Sequence, residues 1–499
     1  MRGLFLKHAF VYGLCTVCIQ AGNFLLLPLY LRCLTPAEYG VLEILSRLSE
    51  NIAALLMLNG FKQALFSFYQ QANGNIQRQQ IVATAYFLLI CFLLFGVFLL
   101  NIFLEPMSQL LFSNIQQIDS SYNLLLLAIF IIFLEPFTLF PLTLLQARLQ
   151  SGTYASILIC QFLIRVTLCI FLVRVMQWGV VGILVSMALT NFLFGIFCTI
   201  YEFSNGLRSF SSSQLIGMLA FALPLVPGSF CFFILHHGDR FLLLQYRSLE
   251  EIGVYSLGYK LAMLIRTFSL EPLYMVWSSH LYTEIHNPDA SQFFGRQFNR
   301  IISVYFLAGL SMTLFAPDII YFLAGSAYLD AALYIGPLAI AYGFQSMATL
   351  MDSAFYITRS TYLKLPVTLL STAIILLLYW LLIPIYGVPG AVAATLGGFF
   401  ILFVVTYIIT QRLFPVKYDW FRIMGMIILG ISLSIIGIFL PIDLVGLFAK
   451  AALLMLALVA AWLLRLISTT DRQIVIEFCR SVLRLLWPHT KPISLSKLI

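Results

Sequence analysis

The chain has 499 residues, 61% of them hydrophobic and 10% charged, with a mean hydropathy of +0.98. Soluble globular chains carry about 45–50% apolar and about 25% charged residues. A water-dissolved enzyme and a nucleic-acid-binding protein are therefore excluded, and the solvent of this chain is a lipid bilayer. The net charge of +8 sits mainly on one set of loops, which is a topology signal rather than a nucleic-acid footprint.

A helix that crosses the hydrocarbon core needs about 20 mostly apolar residues. Hydropathy predicts about 14 such helices, the first six near 8–31, 38–64, 80–104, 121–147, 152–174 and 179–202. The next six fall near 216–246, 251–275, 298–322, 331–357, 361–385 and 387–411, and the last two near 421–441 and 444–467. The segment 468–499 reads as a basic amphipathic tail, expected to lie along the cytoplasmic leaflet against anionic lipid. The first apolar stretch is too long for a signal-peptide core and lacks a small-residue cleavage site.

With the N-terminus inside, 19 of the 28 Lys and Arg residues fall on inner segments and only four (Arg32, Arg174, Arg247 and Lys450) on outer edges. That asymmetry predicts two cytoplasmic termini. Five more cations, Arg47, Arg165, Arg240, Lys260 and Arg266, lie within spans.

The chain repeats itself. Segment 29–48, LYLRCLTPAEYGVLEILSRL, matches 242–261, LLLQYRSLEEIGVYSLGYKL, at an offset of 213. Glu38/Glu251, Gly40/Gly253 and Val41/Val254 are among the identities, and Arg47 aligns with Lys260. Fainter echoes pair Pro106 with Pro317, and WGVVG at 178–182 with YGVPG at 386–390. Six spans per half is an even number, so both halves enter the membrane the same way round. This is a parallel repeat about an axis along the membrane normal, a transporter architecture. The expected lobes are 1–210 and 211–413, followed by two further helices in 414–467.

Nine cysteines are scattered through apolar spans, and Cys15 and Cys18 read as small packing residues. No HExxH, P-loop or clustered Cys/His pattern appears, so neither a metal nor a nucleotide cofactor is expected.

Charges inside spans are the candidate functional residues, because an ionisable group at bilayer depth costs at least a few kcal/mol and tends to face a pathway. In the second span Glu43, Arg47, Glu50 and Asn51 share one helical face. Arg165 lies in the fifth span, and Lys260 and Arg266 in the eighth. Glu135, before Pro136, reads as a buried carboxylate and a candidate proton carrier. Pro224, Pro227 and Gly238 are expected to interrupt the seventh span, which holds His236, His237, Asp239 and Arg240. The His residues read as plain hydrogen-bonding groups.

The segments LPLYLRCLTPAEYGVLEIL at 27–45, HGDRFLLLQYRSLEEIGVYSLGYKLA at 237–262, LFAPDIIYFLAGSAY at 314–328 and YGVPGAVAAT at 386–395 resemble the multidrug/oligosaccharidyl-lipid/polysaccharide (MOP) exporter superfamily. Within it they look most like polysaccharide-biosynthesis flippases of the O-antigen type. The resemblance implies an all-α polytopic membrane protein with two six-helix lobes around a V-shaped cavity and two extra C-terminal helices. It implies translocation of undecaprenyl-diphosphate-linked oligosaccharide across the bacterial inner membrane by alternating access, with no enzymatic chemistry. Asp239–Arg240 is similar to an Asp-Lys/Arg pair at this place in the family.

On that reading Arg47, Lys260, Arg266 and Arg165 are substrate-binding candidates, since guanidinium forks and ammonium groups compensate a diphosphate. Glu43, Glu50, Glu135, Asp239 and Arg240 are gating or ion-coupling candidates, with a proton or sodium gradient open as the driving force. Expected partners are the lipid-linked oligosaccharide, membrane lipids and a glycan polymerase. The alternatives are a peptidoglycan-precursor flippase, a cation-coupled multidrug exporter, which an acidic cavity would suit better, and a membrane glycan polymerase.

Overall fold

The structure, a computed structural model, describes Cys15, Gly22, Phe24, 26–55, 58–112, 121–204, 210–274, Trp277 and 289–464. Among the described residues the regular structure is helical throughout. The tail at 468–499, Cys18 and the inner cations Arg2 and Lys7 lie outside the described residues. So does the side chain of Glu50.

The elements run α1 (26–33), α2 (Pro36–Leu55), α3 (Leu58–Gln71), α4 (Asn75–Phe112), α5 (Ser121–Ala147), α6 (Ser151–Ile170) and α7 (Gly179–Ser204). They continue as α8 (Ser212–Ala222), α9 (Val226–Tyr246), α10 (Leu249–Ser269), α11 (Ala290–Ala324), α12 (Ala331–Met351) and α13 (Ser353–Ile357). The last four are α14 (Lys364–Tyr386), α15 (Val388–Leu413), α16 (Trp420–Ile438) and α17 (Leu444–Leu463).

Ten helical stretches among the described residues are long and apolar enough to cross a bilayer. Neither α2 nor α10 is one of them. The reason is chemical: these two helices carry Glu38, Glu43 and Arg47, and Glu250, Glu251, Lys260 and Arg266. The repeat-related pair is thus the most charged in the bundle, although several of its apolar side chains are fully buried. Leu45 and Leu257, for example, are 0% exposed.

The sequence repeat is a structural repeat. Thr35 and Glu38 form a capping box at the start of α2: the Thr35 amide donates to Glu38 Oε2 at 2.8 Å and the Glu38 amide to Thr35 Oγ1 at 3.3 Å. Ser248 and Glu251 occupy the same positions on α10, where the Glu251 amide donates to Ser248 Oγ at 3.2 Å. Such boxes satisfy the orphan amides of a helix N-terminus, which gives the Glu38/Glu251 identity a physical cause. The third echo is also physical. Gly179 and Gly387 both sit at positive φ, 53° and 63°, Gly179 as the first residue of α7 and Gly387 just before α15, a region that favours glycine. Pro106 and Pro317 lie inside α4 and α11, six and seven residues before those helices end, rather than in the connections beyond them.

Two expectations change at the proline-rich segments. The seventh span is interrupted only at Leu223–Leu225, a single 3₁₀ turn holding Pro224. Pro227 falls in the first turn of α9, where its missing N–H costs nothing, and α9 runs unbroken through Gly238. In α5 the helix continues through Pro136 and Pro141. Glu135 there is exposed rather than buried, because the buried side chains of this stretch, Ile131, Ile132, Thr138 and Phe140, take the core-facing positions.

The chain packs as two compact units. The first comprises Met1–Leu257, Ile320–Ala331 and Thr368–Gly398. Its far-reaching ties include Arg148, which donates to both oxygens of the buried Glu202 at 3.0 and 2.7 Å and to Tyr69 Oη at 3.0 Å, joining α3, the end of α5 and α7. The second unit comprises Gly258–Ile319, Ala332–Val367 and Phe399–Ile499. In it α16 and α17 pack on α11 through Leu310, Leu314, Leu433 and Ala457. Lys450, expected at an outer edge, is instead 0% exposed and paired with Asp318 at 2.6 Å. An ammonium placed among apolar helices needs such a partner.

Candidate functional site

The first unit gathers four of the predicted residues, Glu43, Arg47, Asp239 and Arg240, on facing helices α2 and α9. Glu43 is 3% exposed, accepts from Tyr39 Oη at 3.0 Å, and meets Arg47 Nε at 3.4 Å one turn on. Arg47 is the looser member. Its side chain is 18% exposed, and its Nη1 reaches His237 Nε2 on α9 at 3.5 Å.

One turn away the Asp239–Arg240 pair is held from every side. Arg240 Nη1 donates to Asp239 Oδ1 at 3.0 Å and to the His236 carbonyl at 3.2 Å, and its Nε donates to Ser256 Oγ at 3.3 Å. Tyr255 Oη donates to Asp239 Oδ2, and the guanidinium lies 5.5 Å over the Tyr255 ring. Both ionic side chains are buried. A buried pair is stable only when its remaining donors and acceptors are met, and here α10 meets them. This pair therefore joins α9 to α10.

The remaining candidates stand elsewhere. Arg165 on α6 is half-buried and donates to Asn191 Oδ1 on α7 at 3.2 Å, an amide rather than a carboxylate. Its Nε has no hydrogen-bond partner. Glu135 on α5 is within electrostatic reach of it. Lys260 and Arg266, both half-buried, belong to the second unit on the later part of α10. Arg266 lies within electrostatic reach of Tyr274 and Tyr305, and its Nε also has no hydrogen-bond partner. Among the described residues no cluster of His, Cys, Asp and Glu could hold a metal ion.

Sequence reasoning missed Tyr39 and Tyr255. Each is fully buried and turns its phenol onto a carboxylate. The i, i+4 spacing of Tyr39 and Glu43 was a readable signal. Tyr255 and Asp239 lie on different helices, and nothing local links them.

The helical order and packing give the fold seen in solved transporters of the MOP superfamily. Over 91% of this chain and 99% of the other, the structure superposes on a lipid II flippase in an inward closed conformation with a TM-score of 0.71 at 11% identity. An inward-facing multidrug resistance transporter of the MATE family within the MOP superfamily matches with a TM-score of 0.66 at 14% identity, over 82% of this chain and 95% of that one. By sequence, the chain belongs to the polysaccharide biosynthesis protein family, whose model matches residues 5–277, more than half its length. No curated protein matches the chain by sequence.

Proposed function

We propose that this membrane transporter flips an undecaprenyl-diphosphate-linked oligosaccharide outward across the bacterial inner membrane, for assembly of a surface polysaccharide. The observation that carries the reading is the set of guanidinium groups at membrane depth with donors to spare. Arg165 and Arg266 each keep an Nε without an acceptor, and Arg47 beside Glu43 is partly exposed. A diphosphate headgroup is dianionic and cannot cross hydrocarbon without compensating charge. Arginine forks meet phosphate oxygens two at a time, and Lys260, the repeat equivalent of Arg47, adds a point charge.

The sequence of events is binding of the headgroup from the cytoplasmic side, a change in access, and release outside, each of these cations being a candidate contact within its own unit. Arg47 keeps its charge in both states, so a phosphate can join or replace its contact with Glu43. Asp239–Arg240 keeps α9 and α10 together throughout. The 19-to-four bias of inner over outer cations supports cytoplasmic termini, and a proton or sodium gradient is the proposed drive. Glu43, Glu50 and Glu135 are the carboxylates available for coupling.

The test is complementation of a flippase-null strain by Arg47→Ala, Lys260→Ala and Arg266→Ala, with membrane abundance measured alongside. Each is expected to lower surface glycan at least tenfold, the scale of one lost charge-assisted contact, with lipid-linked repeat units accumulating on the inner leaflet. Normal surface glycan in all three variants sinks the cationic-binding reading. Rescue of a strain lacking its peptidoglycan-precursor flippase, without rescue of glycan export, replaces the proposed substrate with lipid II.

A further inference from the structure

The two copies of the sequence repeat touch each other through equivalent atoms. A Cβ built on Gly40 of α2 would collide with the Leu249 carbonyl oxygen and lie 3.2 Å from the Gly253 nitrogen. A Cβ built on Gly253 of α10 would collide with the Pro36 carbonyl oxygen and lie 3.0 Å from the Gly40 nitrogen. Gly40 and Gly253 are one aligned pair at the offset of 213, and Pro36 and Leu249 are another. The contact is therefore reciprocal, as a local two-fold axis between the glycines requires. Backbones approach this closely only where neither residue has a side chain.

The same end of the first unit is fastened by contacts around the crossing. Arg32 Nη2 and Nε donate to the Phe322 and Leu323 carbonyls at 2.6 and 3.3 Å, capping the last turn of α11. Cations at a helix C-terminus also oppose the negative end of its dipole. Tyr328 Oη donates to the Leu34 carbonyl at 3.2 Å, and its ring meets Tyr39 edge-on at 6.1 Å. The first half of the chain is thus tied to 249–257 and 320–331 of the second half here.

We propose that the Gly40–Gly253 crossing is the seal of one mouth of the transport path, and that glycine at both positions is what lets that mouth close. Under the topology that the basic residues support, it is the outward mouth. Two helices related by a two-fold axis can part only by losing this contact. A methyl group on either glycine is excluded from the crossed state and tolerated in the parted one. Substitution therefore shifts the population toward the open state, by the difference in free energy it imposes on the two. Arg32 and Tyr328 fasten the same state without filling it.

The inference rests on the chain being an alternating-access flippase, and its test is read without substrate. Ala37 and Glu250 are a further repeat-equivalent pair beside the glycines, half-buried and exposed respectively. Spin labels at these two positions, in full-length protein with its nine native cysteines replaced, report the separation of α2 and α10 by pulsed electron paramagnetic resonance. Gly40→Ala with Gly253→Ala is expected to move the distance distribution to a longer population, and Arg32→Ala to move it less in the same direction. Gly152→Ala and Gly228→Ala, where an added Cβ meets nothing within 4 Å, are expected to leave it unchanged. An unchanged distance in the folded double-glycine variant overturns the proposal and leaves a static packing joint. If that variant does not accumulate, a reducible bifunctional thiol reagent across Ala37→Cys and Glu250→Cys decides the matter. Glycan export should stop on crosslinking and return on reduction, and export that continues while crosslinked overturns the proposal. A longer distance in the double-glycine variant, with wild-type protein that rescues no glycan defect, would retain the seal and reject the substrate.

Discussion

Two ion pairs on facing helices, Asp239–Arg240 and Glu43–Arg47, differ in kind. Arg240 spends its donors on Asp239, Ser256 and the His236 carbonyl, and Tyr255 takes the other carboxylate oxygen. Arg47 has a 3.4 Å contact with Glu43, a 3.5 Å approach to His237, and partial exposure. A buried charge bonded both within its own helix and to the neighbouring one belongs to the fold. A partly exposed charge such as Arg47 is open to a passing headgroup, which a transport site requires. The difference lies not in the residue types but in what the adjacent helix offers each one.

The largest expected effect breaks the saturated pair. Arg240→Ala leaves a carboxylate buried without its cation, a loss of about 3–5 kcal/mol. Membrane abundance and the detergent melting temperature should both fall sharply, and a variant that accumulates at the wild-type level would erase the distinction between the pairs. A charge-preserving exchange sharpens the contrast. Arg47→Lys keeps the cation beside Glu43 but loses the planar fork, so abundance should hold while surface glycan drops several-fold. Arg240→Lys, missing three directed bonds at once, should lower abundance instead. Equal behaviour of the two lysine variants would mean that both pairs serve the fold alone.

The smallest effect tests whether the repeat is symmetric in energy as well as position. Thr35→Ala and Ser248→Ala each remove a capping hydroxyl, at about 1 kcal/mol. The two variants should lower the melting temperature by similar small amounts, with export retained. A large loss from only one of them would show that the two helix starts carry unequal loads.

Much of this was readable from the chain. The bilayer as solvent follows from so few charges among so many apolar residues. The repeat could be seen in Glu38/Glu251 and Gly40/Gly253, and each identity proved to have a local cause, a capping box and a close crossing. The charged face of α2 was visible because i, i+4 spacing is a property of one helix. Other features were not visible. Glu135 reads as buried from its apolar neighbours, yet it is exposed, since hydropathy reports how apolar a span is and not which way one side chain points. Lys450 reads as an outer-edge cation, and nothing local announces that it is buried on Asp318, a residue 132 positions away. Gly238 reads as a break, but its neighbours keep the helix running.

By itself the sequence determined what depends on neighbours a few residues apart: the apolar medium, the helices and their caps, and the repeat. Tertiary structure alone decided which of the cations within spans are saturated, because a guanidinium buried in apolar surroundings takes its partners from whichever helix packs against it. It decided in the same way that two glycines 213 residues apart should share one axis, since only folding brings their backbones within reach.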